Sequence, residues 1–141
     1  MSRRRGSDPQ FDPRSQSRER ALSLMYEAEA KGVSADSVLE DLVVPADEAV
    51  REIVLGVAAH ADKIDGIITS FAEGWTIERM PTIDRLILRM AIFEILERPT
   101  VPLAVVIDEA VELAKRFSTD DSGRYVNGVL GAAGRQLRNH T

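Results

Sequence analysis

The chain is 141 residues long, 44% hydrophobic and 29% charged, with a formal net charge of −5 and no cysteine. That length supports one domain with a real core. The absence of thiols excludes disulfides, a cysteine nucleophile and Cys-ligated metals, and the acidic balance argues against a surface that binds nucleic acid everywhere. The charge is uneven: residues 1–20 hold six arginines against Asp8, Asp12 and Glu19, a net +3 that leaves −8 on the remainder. This asymmetry describes a basic arm on an acidic body.

Residues 1–12 are polar, contain Gly6 and Pro9, and read as a flexible basic N-terminal arm. Arg3-Arg4-Arg5 is followed by polar residues, not by the apolar run of a signal peptide. A folded domain is predicted over 13–138. Asp12-Pro13 suits a helix start, with Asp as cap and Pro in the first turn. The helix that follows has Ala21, Leu22, Leu24, Met25 and Ala28 as its apolar stripe and stops at Gly32. Arg14 and Arg18 lie one turn apart on it and so share a face. Ser34 is placed to cap a short second helix. Pro45 then opens a long helical pattern through Val50, Ile53, Val57, Ala61, Ile64, Ile68 and Phe71, with a kink expected near residues 60–62. Asp65-Gly66 would mark a hairpin turn between strands, but no alternating pattern flanks it, and it reads as helix. Gly74 breaks the pattern, and Trp75 to Met80 reads as a loop or single turn with Trp75 as a core anchor.

Pro81 or Thr82 begins a helix that is apolar nearly all round, from Ile83 to Leu96, which belongs in the middle of a bundle. Its charges, Asp84, Arg85, Arg89 and Glu94, must be paired or near its rim; Glu94 or Asp108 is the expected partner of Arg89. Pro99 and Pro102 end it and launch an amphipathic helix with Leu103, Ile107, Ala110, Val111, Ala114 and Phe117 on one face. A polar break follows, in which Asp120, Asp121 or Ser122 caps the last helix. That helix keeps its spacing through Asn127-Gly128. A glycine there implies close approach by another backbone or a ligand; tight packing, with Asn127 bonded to a neighbouring backbone, is the preferred reading. There is no convincing strand, no repeat and no apolar run long enough to span a membrane. The predicted class is all-α, one domain of six or seven helices.

No Gly-rich phosphate loop, Gly-x-Ser-x-Gly elbow or His-Glu-x-x-His pair is present, and the two histidines, His60 and His140, stand alone. The expectation is a cytoplasmic protein that is no enzyme, with no catalytic residue, metal ligand or cofactor. The residues offer binding chemistry instead. Arg14, Arg18 and Arg20 are placed to follow a phosphate backbone; the alternative is a solvated terminus. Phe71, Trp75 and Tyr125 are the rings available for stacking on bases, although Phe71 also fits a core stripe.

Several of these stretches resemble one family. Val105-Val106-Ile107-Asp108-Glu109-Ala110, Glu112-Leu113-Ala114-Lys115, Asp121-Ser122 and Tyr125-Val126-Asn127-Gly128-Val129-Leu130 look like the C-terminal signature of the bacterial NusB family, and Asp84-Arg85, Ile87-Leu88-Arg89, Ala91 and Glu94 add a second match upstream. The resemblance extends over roughly residues 14–137. It implies two small helical bundles packed together, and a transcription antitermination factor that binds boxA-type single-stranded RNA with the ribosomal protein NusE. NusA, NusG and RNA polymerase would complete the assembly on ribosomal RNA operons. It places Phe71 and Tyr125 at RNA contacts. Asp121 falls at the RNA edge, where a carboxylate accepts bonds from base amino groups. Tyr26 and Asp84 fall on the NusE-binding surface. Arg14, Arg18 and Arg20 match the family's N-terminal arginine cluster, although here the consecutive arginines stand further upstream. Two other readings remain open: the RNA-targeting domain of a ribosomal RNA cytosine methyltransferase, and a helical module that binds only proteins, including a homodimer that hides its RNA face.

Overall fold

The apolar spacing resolves into seven α-helices in a computed structural model that describes residues 14–138. They are α1 (Ser15–Lys31), α2 (Ala35–Glu40), α3 (Glu48–Ala59), α4 (Ala61–Phe71), α5 (Thr82–Glu97), α6 (Leu103–Phe117) and α7 (Asp120–Arg138), with a 3-10 turn at Ile77–Arg79. No strand occurs among the described residues. The N-terminal arm and the Asp12-Pro13 start lie outside them.

The helix ends follow local chemistry. Gly32 closes α1 in the left-handed region at φ 68°, where a side chain would be strained. The Ser34 hydroxyl accepts the Ser37 N–H at 3.0 Å and caps α2. The expected kink falls at His60, which separates α3 from α4. The cap of α7 is not among Asp120, Asp121 and Ser122: the Thr119 hydroxyl, one position earlier, accepts the Ser122 N–H at 2.9 Å.

Helix α5 runs through the middle. Leu86, Ile87, Leu88, Met90, Ala91, Ile92, Phe93 and Ile95 are all buried on it, and it packs against α1, α3, α4, α6 and α7. Helices α1–α3 gather on one side and α4, α6 and α7 on the other, so α5 is the element the two small bundles share. Two glycines permit this closeness. A Cβ on Gly56 of α3 would overlap the edge of the Phe93 ring of α5, and one on Gly134 of α7 would meet Leu103 Cδ1 of α6 at 2.6 Å. Gly128 does the opposite of what its place in a helix suggested. Nothing lies within 4 Å of where its Cβ would be, and Asn127 beside it is exposed, so this dipeptide sits on the outer face of α7 with no packing role.

Ion pairs then lock the layers. Arg18 is 1% exposed and reaches Glu94 with Nε at 2.6 Å and Nη2 at 2.8 Å. Its Nη1 lies 3.3 Å from Glu109, which also accepts the Ser15 hydroxyl at 2.6 Å. Arg89 pairs with Asp65 of α4 at 2.8 and 2.9 Å, not with Glu94 or Asp108 as expected, because Glu94 is already taken by Arg18. Arg85 grips Glu29 of α1 at 2.8 and 2.6 Å, and this bidentate bond holds the Glu29 carboxyl below its usual range. Arg138 of α7 donates to the carbonyls of Ile95, Arg98 and Val101 at 3.3, 3.1 and 2.6 Å, which answers the open end of α5.

Candidate nucleic-acid interface

The loop after α4 and the start of α7 meet at one edge of the molecule. Gly74, at φ 86°, turns the chain so that Trp75 leaves the core. Trp75 is therefore no core anchor: it is 40% exposed, with its ring edge-on to Tyr125 at 5.2 Å and 66°. Tyr125 lies one turn into α7, half-buried, where the Thr119 cap fixes the helix start.

Together the two rings wall a cleft of about 580 Å³ lined by Glu73, Gly74, Pro81, the hydroxyls of Ser118, Thr119 and Ser122, and Asp121. The three hydroxyls form a chain, with Ser118 and Thr119 each 3.0 Å from Ser122 Oγ. Beneath it, Ser122 Oγ donates to Asp84 Oδ2 at 2.7 Å. The charged residues among the lining are both acidic, Glu73 and Asp121, and Asp121 is exposed and paired with Arg124. Such a site offers ring faces and hydrogen-bond acceptors, which suits the face and amino edge of a base better than a phosphate. Across Gly74-Trp75, a second cleft of about 860 Å³ runs between α4 and the Ile77–Arg79 turn.

The sequence-predicted residues distribute unevenly around this edge. Tyr125 and Asp121 share the cleft. Phe71 ends α4 and packs half-buried against the core. The three arginines do not form one face. Arg14 and Arg20 are exposed, but Arg18 turns inward to Glu94 and cannot reach a phosphate. The helical spacing of Arg14 and Arg18 said nothing about which side of α1 faced the core. Arg20 borders a separate cleft with Val44, Pro45 and Asp47. Tyr26 is 47% exposed and, with Leu22, Ile83 and Phe117, lines a groove between α1, α5 and α6. Asp84, expected beside it on the partner surface, is instead 0% exposed. Its neighbour Ile83 faces the groove, while Asp84 points the other way, under α7. Sequence reasoning weighed Trp75 as a stacking ring but preferred the core, and it missed Arg124. For Trp75 a signal existed: it is the single tryptophan of the chain and directly follows a glycine at a helix end.

Two buried polar atoms at this edge have no protein partner, Asp84 Oδ1 and the Tyr125 hydroxyl. Burial first, and the Asp84 charge second, push the Tyr125 phenol above its usual pKa.

An aromatic cleft floored with hydroxyls, set on a fully helical body, defines a helical binding module. A family model described as the NusB family matches residues 15–135. The chain belongs to the NusB family. It is 46% identical over 126 residues to the transcription antitermination protein NusB of Streptomyces griseus, covering 83% of this chain and 88% of that one. To its counterpart in Saccharopolyspora erythraea it is 47% identical over 124 residues, covering 84% of each. Among solved structures, T. maritima NusB superposes with a TM-score of 0.80 at 30% identity, covering 89% of this chain and 92% of that one. A crystal structure of antitermination factors NusB and NusE in complex with dsRNA shares the fold, with a TM-score of 0.74 at 24% identity and coverage of 87% and 96%.

Proposed function

We propose that the chain is a transcription antitermination factor that binds boxA-type single-stranded RNA together with NusE, and joins NusA, NusG and RNA polymerase on ribosomal RNA operons in the cytoplasm. It acts by assembly rather than catalysis. The observation that carries this reading is the Trp75–Tyr125 pair, presented at the surface over a floor of hydroxyls with Asp121 at the rim. Bases stack on such rings whatever their identity, and the acceptors around them favour bases that bear amino groups. Arg14 and Arg20 supply phosphate contacts further along the strand. Tyr26, with Phe117 and Ile83, forms an apolar groove that receives NusE. The reading as the targeting domain of a methyltransferase has less support, because the matched relatives are covered over 84–88% of their own length, too much to leave them a second catalytic domain.

The experiment is an RNA titration with boxA and scrambled oligonucleotides, each with and without NusE. The expected result is selective binding of boxA that tightens with NusE. Equal affinity for both RNAs, with NusE present, overturns the reading.

A further inference from the structure

The two surfaces of the proposed function are separated by one turn of α5. Ile83 lines the Tyr26–Phe117 groove. Asp84, the next residue, points into the protein and holds Ser122, which lines the aromatic cleft. The α6–α7 junction repeats the arrangement: Phe117 lines the groove and Ser118 lines the cleft. Each surface is thus backed by the residues next in chain to those of the other.

The layer between them is incompletely bonded. Asp84 is fully buried, yet only Oδ2 has a partner. Tyr125 carries a buried hydroxyl with none. A buried carboxyl oxygen and a buried hydroxyl that both lack partners are unfavourable, and a movement that joined them would be rewarded. Tyr125 follows Ser122 by one turn of α7, so it stands next along the helix to the residue that holds Asp84, and the direction of the phenol's pKa shift agrees with that placement. The arrangement described here is the open one; in a joined one the Tyr125 hydroxyl would donate to Asp84 Oδ1. Coupling between sites requires just such an element, biased by both ligands.

We propose that Asp84 is a positioning residue that couples the groove to the cleft: a partner seated on Ile83 and Phe117 shifts the first turn of α5, brings the Asp84 carboxylate onto the Tyr125 hydroxyl, and fixes the ring against which a base stacks. This rests on the assignment of the groove to NusE made above. It also gives Asp84 a role at the partner surface without contact to the partner.

The single tryptophan makes the test direct, because Trp75 lies edge-on to Tyr125. The chain is labelled with 5-fluorotryptophan, so that one 19F line reports the cleft, and unlabelled NusE is added to saturation without RNA. Binding of NusE is followed in parallel by calorimetry. The variants are Asp84→Asn, which keeps an acceptor for Ser122 but loses the charge, and Tyr125→Phe, which keeps the ring but loses the hydroxyl. Thermal melts establish that both are folded. The wild-type line is expected to shift on NusE binding, and the shift to fall at least threefold in each variant, with no further decrease in the double variant. A mere loss of stability would not move a saturated line in this way. If NusE binds but the wild-type line stays in place, or shifts equally in both variants, the coupling is overturned and the functional reading stands. If calorimetry detects no NusE binding, the functional reading fails and takes the coupling with it.

Discussion

Both ends of α5 bury a carboxylate, and they treat it in opposite ways. Near the C-terminal end, Glu94 meets the Arg18 guanidinium with both oxygens, and Arg138 answers the carbonyls beyond it. Near the N-terminal end, Asp84 has one serine for two oxygens, next to a tyrosine hydroxyl that also lacks a partner. A fully paired buried charge is costly to break, whereas a buried polar atom without a partner is unfavourable where it stands. The Glu94 end is scaffold; the Asp84 end is where the molecule keeps its capacity to respond.

The largest effect should come from breaking the satisfied end. Arg18→Ala strands Glu94 without its counter-ion and is expected to cost about 3–5 kcal/mol of stability, measured by urea unfolding. A fall in RNA affinity with unfolding unchanged would instead return Arg18 to the RNA surface and erase the contrast. Next is Tyr125→Ala, at the responsive end. Removing one stacking ring should weaken RNA binding by about 1–3 kcal/mol while the log–log salt slope stays nearly constant. Wild-type affinity in this variant would move the RNA site elsewhere.

Smaller, and complementary, is Arg14→Ala with Arg20→Ala. Taking away one phosphate-binding arginine should flatten the salt slope by roughly 0.7 on a single strand, so a double variant with the wild-type slope shows that these arginines touch no RNA. The smallest effect concerns pH. A Tyr26→Phe background leaves Tyr125 as the single tyrosine, and its phenol can be titrated by ultraviolet absorbance. Burial and then Asp84 raise this pKa in the fold. The stability linked to the neutral phenol is therefore intact below the unfolded value of about 10 and is lost as pH rises through the folded value. Asp84→Asn should lower the midpoint; an unchanged midpoint would show that the Asp84 charge does not reach the ring.

What the sequence made legible was periodicity and punctuation. The apolar stripes located the helices, Gly32 and Ser34 marked one boundary correctly, and the all-round apolarity of 83–96 placed α5 at the centre. The misreadings share a physical cause: they concern orientation, which distant residues decide. Arg14 and Arg18 are indeed one turn apart, but Arg18 turns inward because Glu94 and Glu109, 76 and 91 residues away, wait there. Asp84 reads as a surface charge until Ser122 of α7 is seen to hold it. Trp75 reads as core from its size alone, and only the turn at Gly74 swings it outward. For Asn127-Gly128 the sequence suggested close packing, and the exposed dipeptide has no structural explanation within this chain.

The clamp made by Arg138 also has a consequence for synthesis. The carbonyls of Ile95, Arg98 and Val101 wait for a donor that the ribosome adds 37–43 residues later. At roughly 5–20 residues per second this is a delay on the order of 2–8 s. During that interval α7 is not available to pack against the side of α5. Until Arg138 has been made, α7 cannot complete its contacts with α5 and α6, and the carbonyls that it caps lack this donor.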